Sequence, residues 1–180
     1  MENESGRKLK AGDAFPALRL TSIRHQAVPI PDPGSKYVHL QFRRYAGCPI
    51  CNLHMHQFAK RAEDLKSRGI REVAVFHSSE GEMLPYEGEL PFDVIADPEK
   101  ALYKRFGVET SLGALLNVGA MLAALKGALE TKPTMTAENG RLGLPADFLI
   151  GPDGRVKAAK YGGDANDQWS VDELLALAQG

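Results

Sequence analysis

Residues Tyr37 to Phe76, YVHLQFRRYAGCPICNLHMHQFAKRAEDLKSRGIREVAVF, decide the class of this fold. In the first six, Val38, Leu40 and Phe42 alternate with more polar neighbours, the two-residue period of a strand. From Ile50 onward the period changes. At about 100° per residue, Cys51, Met55, Phe58, Ala62 and Leu65 fall within about 80° of one another, while His56, Lys60 and Glu63 cluster opposite. Pro49 suits a first helical turn, where its missing N–H is no loss. Lys66 and Arg68 favour the negative end of a helix dipole, and Gly69 supplies the stop. The spacing therefore predicts one helix from about residue 50 to residue 68. Glu72 to Phe76 reads as a second strand. Strand, helix and strand with short links form a βαβ unit, with parallel strands and a right-handed crossover. Gly47-Cys48-Pro49-Ile50-Cys51 then lies at the carboxyl end of the first strand, where open α/β sheets collect their chemistry.

On the N-terminal side, residues up to about Lys10 are polar and expected to be loose. Leu18-Arg19-Leu20 starts a short strand, and Val28 to Lys36 (VPIPDPGSK) reads as a loop because of its prolines and glycine. On the C-terminal side, Phe92 to Ala96 is a third strand, and Asp97-Pro98 caps a short helix ending near Gly107. Phe148-Leu149-Ile150, the turn Pro152-Asp153-Gly154 and Arg155 to Tyr161 make a hairpin. Ser170 and Glu173 form a capping box, with Trp169 and Leu174 as its staple, for a last helix to about Gln179. Leu112 to Leu129 is apolar nearly all round, broken only by Asn117 and Lys126. It has the length of a minimal membrane span, but its alanines and glycines leave its hydrophobicity too low for one. A core helix is the expected reading, or a helix that covers its extra face with a second subunit. The class is α/β, a single domain over residues 1–180 with a helical insert and loop at 108–141.

Composition narrows the function. The 180 residues are 43% hydrophobic and 25% charged, enough apolar mass for one globular core. Twenty-two basic residues against 23 acidic give a net charge of −1, so neither nucleic acid nor an anionic membrane surface is an expected partner. The first residues carry no apolar signal region, and a cytoplasmic location is the expectation. Two cysteines are too few for a disulfide scaffold, yet they stand three residues apart.

Helix phasing gives Cys48 and Cys51 different surroundings. Cys48, near the N-cap, meets free N–H groups and the positive end of the dipole, both of which favour a thiolate. Cys51 falls on the apolar face and should be more buried. Arg43 and Arg44 come just before, and at least one should lie close enough to favour negative charge on sulfur. A lowered thiol pKa with a second thiol in reach is a redox centre, because the partner resolves an oxidised sulfur as a disulfide. Two blander readings compete. The thiols could be inert core residues. Cys48, Cys51, His54 and His56 could hold a metal, but His56 projects about 140° from Cys51, so at most three ligands converge where a structural zinc site wants four. His54 could tune a thiol or simply be a half-buried helix histidine. His25, His39 and His77 are scattered, and Ser78-Ser79 has no evident base.

These residues resemble the thioredoxin superfamily, above all its peroxiredoxin-like, AhpC/TSA-related branch. The resemblance runs through AGDAFPALRL, FRRYAGCPICNLH, FDVIADPEKALYKRFGV and LPADFLIGPDGRV. It implies a thioredoxin fold, three layers α/β/α around a central mixed sheet, and redox chemistry at the Cys-x-x-Cys pair. It also implies a cis proline before the late strand, facing the sulfurs, a position matched by Pro145. True peroxiredoxins carry P-x-x-x-T-x-x-C. With Cys51 as the peroxidatic sulfur, Arg44 stands in the proline's place and Cys48 in the threonine's; with Cys48 instead, the residues are Gln41 and Tyr45. The peroxiredoxin arginine before the late strand falls about where Pro145 stands. The framework is thus similar to peroxiredoxin and the site to thioredoxin.

The expected protein is a thiol–disulfide oxidoreductase. Cys48 attacks a protein disulfide or, more slowly, a small-molecule peroxide; Cys51 resolves the adduct; an external thiol restores the pair. Under the peroxiredoxin alignment the two sulfurs exchange roles. Arg43 or Arg44 would stabilise the thiolate, Tyr45 would border the site, and Pro145 would shape the substrate groove. No cofactor or metal is called for, and a homodimer is possible. The alternative is a non-catalytic thioredoxin-fold dimer acting as a binding module.

Overall fold

The computed structural model describes residues 6–108, 122, 125–129, 140 and 143–179. The chain begins with an antiparallel pair, β1 (Leu18–Thr21) and β2 (Ala27–Ile30). The βαβ unit follows as β3 (Tyr37–Phe42), α1 (Pro49–Lys60), α2 (Ala62–Ser67) and β4 (Ile70–Phe76). Next come α3 (Glu80–Glu87), β5 (Asp93–Ala96) and α4 (Ala101–Arg105). The hairpin β6 (Ala146–Ile150) and β7 (Val156–Tyr161) and the helix α5 (Val171–Leu177) complete the described elements. The main sheet runs β5-β4-β3-β6-β7. β3, β4 and β5 are parallel, while β6 is antiparallel to β3 and to β7, so the sheet is mixed as expected.

β3 is central and covered on both faces, which is why nearly all of it is buried. Val38, Leu40 and Phe42 join Phe15, Val28, Ile30, Tyr103, Phe106 and Phe148 in one apolar cluster, closed by the β1–β2 pair and α4. The opposite cluster holds Cys48, Cys51, Met55, Phe58, Ala74, Phe76 and Leu174, closed by α1, α3 and α5. These are the three layers of a thioredoxin fold, with the first turn of α1 beyond the carboxyl end of β3.

Several sequence expectations need correction. The helix at 50–68 is two helices, broken at Arg61, whose φ of −113° leaves the helical region. Their apolar faces stay in line, so periodicity alone showed no break. Gly69 supplies the stop in a left-handed conformation, φ +72°, close against Lys36. The segment expected to be a loop from Val28 contains β2. Val28 and Ile30 are buried, and Pro29 sits opposite Arg19 in a two-stranded pair with free edges, where a residue without N–H is tolerated. The capping box at Ser170 and Glu173 forms with both of its hydrogen bonds.

Most of Leu112 to Leu129, and of the insert expected at 108–141, lies outside the described residues. Residues 125–129 are helical. Leu122, Leu125 and Leu129 are 63%, 62% and 80% exposed, so this end is not the enclosed core helix that composition suggested. Gly127 turns inward, so close to α1 that a Cβ would stand 2.1 Å from the Pro49 carbonyl oxygen. Among the described residues, no helix is long and apolar enough to cross a membrane.

Candidate active site

The link between β3 and α1 places two cysteines at a helix tip. Gly47, φ +67°, makes the turn that only a glycine adopts freely, and Cys48 follows as the N-cap of α1 with Pro49 in its first turn. Cys48 N–H donates to the Tyr45 carbonyl at 3.2 Å, and Ala46 N–H to Ser78 Oγ at 3.0 Å, so both sides of the turn are pinned. Cys48 and Cys51 are free thiols, fully buried, with their sulfurs within hydrogen-bond reach of each other.

The surroundings separate the two thiols. Arg44, itself buried, points its guanidinium at Cys48 Sγ (3.5 Å) and its backbone N–H at Cys51 Sγ (3.4 Å). Burial pushes the Cys48 thiol up. The hydrogen bond from Cys51, the Arg44 charge and the N–H groups of Cys51 and Ile50 outweigh it and bring it down to about 6. For Cys51, burial and the adjoining Cys48 sulfur act in one direction and hold the thiol well above its ordinary range. At neutral pH the pair is one thiolate and one thiol.

Arg43 turns elsewhere. With His39 and Gln41 it projects from the same face of β3 into the α1 layer, where buried charges meet. Arg43 contacts Asp147 at 2.5 Å and donates to His54 Nε2 at 3.0 Å. His39 bridges Glu72 (2.7 Å) and Asp147 (3.1 Å), and the Gln41 amide donates to Glu72 at 2.9 Å. Burial disfavours a charged His39, but Glu72 and Asp147 overcome this and raise it to about 9. Burial also raises Asp147, yet Arg43 and His39 hold it well below the usual carboxylate range. Two cations thus balance two carboxylates inside the core. Burial and the Arg43 charge keep His54 neutral, its Nε2 accepting from Arg43.

The remaining expected residues are placed as follows. Tyr45 is buried, with the Arg44 guanidinium 5.3 Å from its ring centroid. Pro145 sits just before β6, packed on Gly162, whose N–H its carbonyl accepts at 2.9 Å. The Leu144–Pro145 bond is trans, against what the family resemblance implied; among the described residues the one cis bond is Ile30–Pro31. His54 and His56 diverge, one into the core and the other to solvent, and among the described residues no three His, Cys, Asp or Glu side chains are placed to share a metal ion.

The fold also gathers residues that the sequence left scattered. His77, the residue after β4, donates its backbone N–H to the Arg44 carbonyl, and burial lowers its imidazole to about 4, so it is neutral. Tyr103 bridges the Arg43 and Val75 carbonyls through its hydroxyl, tying together the ends of β3 and β4. Glu87, the last residue of α3, is buried and accepts the Gly47 N–H at 3.2 Å. No local pattern marks Glu87, because Pro85 and a single buried Met83 hide the helix that carries it.

A buried thiolate–thiol pair at the N-terminus of a helix beyond a central parallel strand is the layout of a thiol redox centre. The sequence model of the AhpC/TSA family matches residues 11–159, which is most of the chain. The protein belongs to the AhpC/TSA family. As a member it is a thiol-dependent oxidoreductase. No sequence among curated proteins matches this AhpC/TSA chain. Solved structures share its fold at low identity. A cysteine-to-serine mutant of peroxiredoxin 6 from Arenicola marina is 18% identical with a TM-score of 0.70, over 95% of this chain and 72% of that one. AhpC of Mycobacterium tuberculosis is 16% identical with a TM-score of 0.67, over 96% and 93%. A Chlorobium tepidum chain described as the thiol:disulfide interchange protein DsbE is 20% identical with a TM-score of 0.63, over 96% and 100%. This AhpC/TSA chain is therefore similar in fold both to a peroxiredoxin and to a chain described as a thiol:disulfide interchange protein.

Proposed function

We propose that this AhpC/TSA-family chain is a dithiol oxidoreductase that reduces disulfides and, more slowly, peroxides through Cys48 and Cys51. The observation that carries the reading is the asymmetry of the pair: Arg44 at 3.5 Å favours a thiolate on Cys48, while Cys51 stays protonated. Cys48 thiolate attacks one sulfur of a substrate disulfide; a Cys48–substrate disulfide forms, and the other substrate sulfur leaves as a thiolate that takes up a proton. Cys51 then loses its proton and attacks the Cys48 sulfur, forming the Cys48–Cys51 disulfide and releasing the second substrate thiol. Two equivalents of an external thiol return the pair to the reduced state and are themselves oxidised to a disulfide.

With a peroxide, the O–O bond breaks as Cys48 thiolate takes the terminal oxygen to become a sulfenic acid, and the other oxygen leaves as an alkoxide that takes up a proton from solvent. Cys51 then attacks the Cys48 sulfur, its proton and the sulfenic hydroxyl leaving as water. The departing oxygen needs hydrogen-bond donors, and with Cys48 as the attacking sulfur Gln41 and Tyr45 stand where peroxiredoxins carry the proline and threonine that shape their peroxide pocket. Disulfides are therefore the faster substrate class. A homodimer is supported by the exposed Leu122, Leu125 and Leu129, and sedimentation equilibrium tests it.

Thiol counting and mass spectrometry after one equivalent of oxidised glutathione test the catalytic reading. The wild type should lose both thiols reversibly, Cys51→Ser should stop at a mixed disulfide on Cys48, and Cys48→Ser should stay unreacted. Thiols untouched by glutathione disulfide and by peroxide would overturn it in favour of a binding module.

A further inference from the structure

Glu87 is a buried acid that the two-cysteine scheme does not use. It is 1% exposed; one carboxyl oxygen takes the Gly47 N–H, and the other, Oε2, has no partner among the described residues. Gly47 directly precedes Cys48, so the carboxyl sits against the backbone of the turn that presents the thiolate. The titratable groups facing it are Cys48 and His56 from α1 and Tyr86 from its own helix; His56 is exposed. Two negative charges in this space are unfavourable, and a buried unpaired carboxylate oxygen is costly.

We propose that Glu87 stores the proton that the Cys48–Cys51 couple lacks, holding it while Cys48 is a thiolate and giving it up when the disulfide forms. The inference rests on the dithiol reading above. It follows from a proton count. Reducing a disulfide to two thiols consumes two electrons and two protons, but a thiolate–thiol pair carries only one proton. With the acid included, Cys48–S⁻, Cys51–SH, Glu87–COOH and RSSR become the Cys48–Cys51 disulfide, Glu87–COO⁻ and two RSH. Protons and charge balance on both sides, and the acid's proton ends on a leaving thiolate. Burial, and after it the Cys48 charge, raises Glu87 to about 8, so it is protonated in the reduced protein at neutral pH. Disulfide formation removes the Cys48 charge and so weakens the hold on the proton.

The test is the exchange equilibrium with glutathione between pH 6.5 and 8, in wild type and Glu87→Gln. Without a stored proton, one must come from solvent, so the variant's constant for oxidation by glutathione disulfide should fall tenfold per pH unit. The wild-type constant should fall much less steeply, approaching no pH dependence when a whole proton is supplied internally. Parallel slopes, with an intramolecular disulfide in both proteins, overturn the inference and leave the dithiol reading standing. Failure of the wild type to form the disulfide at any glutathione ratio overturns both. Carbon-13 NMR of glutamate carboxyls in the wild type gives a second readout, independent of how the variant folds. One buried glutamate should titrate near pH 8 when reduced and at lower pH when oxidised; titration at the same pH in both forms overturns the inference.

Discussion

Arg43 and Arg44 are consecutive, yet one serves the core and the other the sulfur, because side chains on an extended backbone alternate in direction. The sequence showed that a cation stands beside the cysteines; choosing between the two required knowing that Asp147, 104 residues away, captures Arg43. The cysteine pair itself was legible, since spacing, helix phase and the lack of other cysteines all point one way. Glu87 and His77 were not, because only the return of β4 and α3 to the site brings them near. Replacing Arg44 with methionine keeps a long apolar stem and removes the charge. The Cys48 pKa should then rise by about 1–2 units, the size of a close charge contribution. Iodoacetamide alkylation of Cys51→Ser against Arg44→Met/Cys51→Ser, followed from pH 5 to 9, reads this directly. An unchanged midpoint would take Arg44 out of the thiolate's environment.

Elements with a clean period were read correctly in kind, and those governed by partners elsewhere were not. β3, β4, β5 and the β6–β7 hairpin follow from alternation, apolar runs and a Pro-Asp-Gly turn. β2 was masked by Pro29 and Pro31, although Val28 and Ile30 keep the period of a strand whose partner β1 buries them. The break at Arg61 leaves no mark in the apolar period, and this side chain is paired with Asp64 and with Asp172 of α5. α5 starts at a capping box that the sequence displayed in full. Ser170→Ala should therefore cost about 1 kcal/mol in urea unfolding, with Ser170→Asp restoring most of it. A second element-scale outcome concerns residues 125–129, which press on the first turn of α1 through Gly127. A methyl group there meets backbone rather than a yielding side chain, so Gly127→Ala must push the two segments apart. Cys48 is buried at that turn, and its alkylation rate at fixed pH should increase several-fold. A rate equal to wild type would show that these residues do not limit access.

At the scale of the whole molecule, three buried groups make stability depend on pH in opposing ways. Glu87 is raised from 4.5 to about 8, so its favourable contribution is complete below 4.5 and is lost as pH rises through 8. His39 is raised from 6.5 to about 9; its contribution is complete below 6.5 and is lost as pH rises through 9. Cys48 is lowered from 9.0 to about 6, so its contribution is complete above 9 and is lost as pH falls through 6. Between pH 6.5 and 9 the loss at His39 and the gain at Cys48 offset each other, which leaves Glu87 to set a decline from about pH 6.5 to pH 8; below pH 6.5 the lowered His54 and His77 work against it. Among these three groups, Cys48→Ser removes the contribution that grows with pH, and above pH 6.5 the lowered His54 and His77 add no further growth. Urea unfolding of reduced wild type and of Cys48→Ser should therefore diverge from pH 6 to pH 9, the wild type gaining a few kcal/mol on the variant, because each unit of pKa shift is worth about 1.4 kcal/mol. Groups that do not feel the Cys48 charge, His39 among them, cancel in that difference, whereas Glu87 and Cys51 lose the part of their shift that Cys48 supplies. A constant gap across the range would mean that Cys48 titrates alike in the folded and unfolded chain, and no thiolate would be stabilised by the fold.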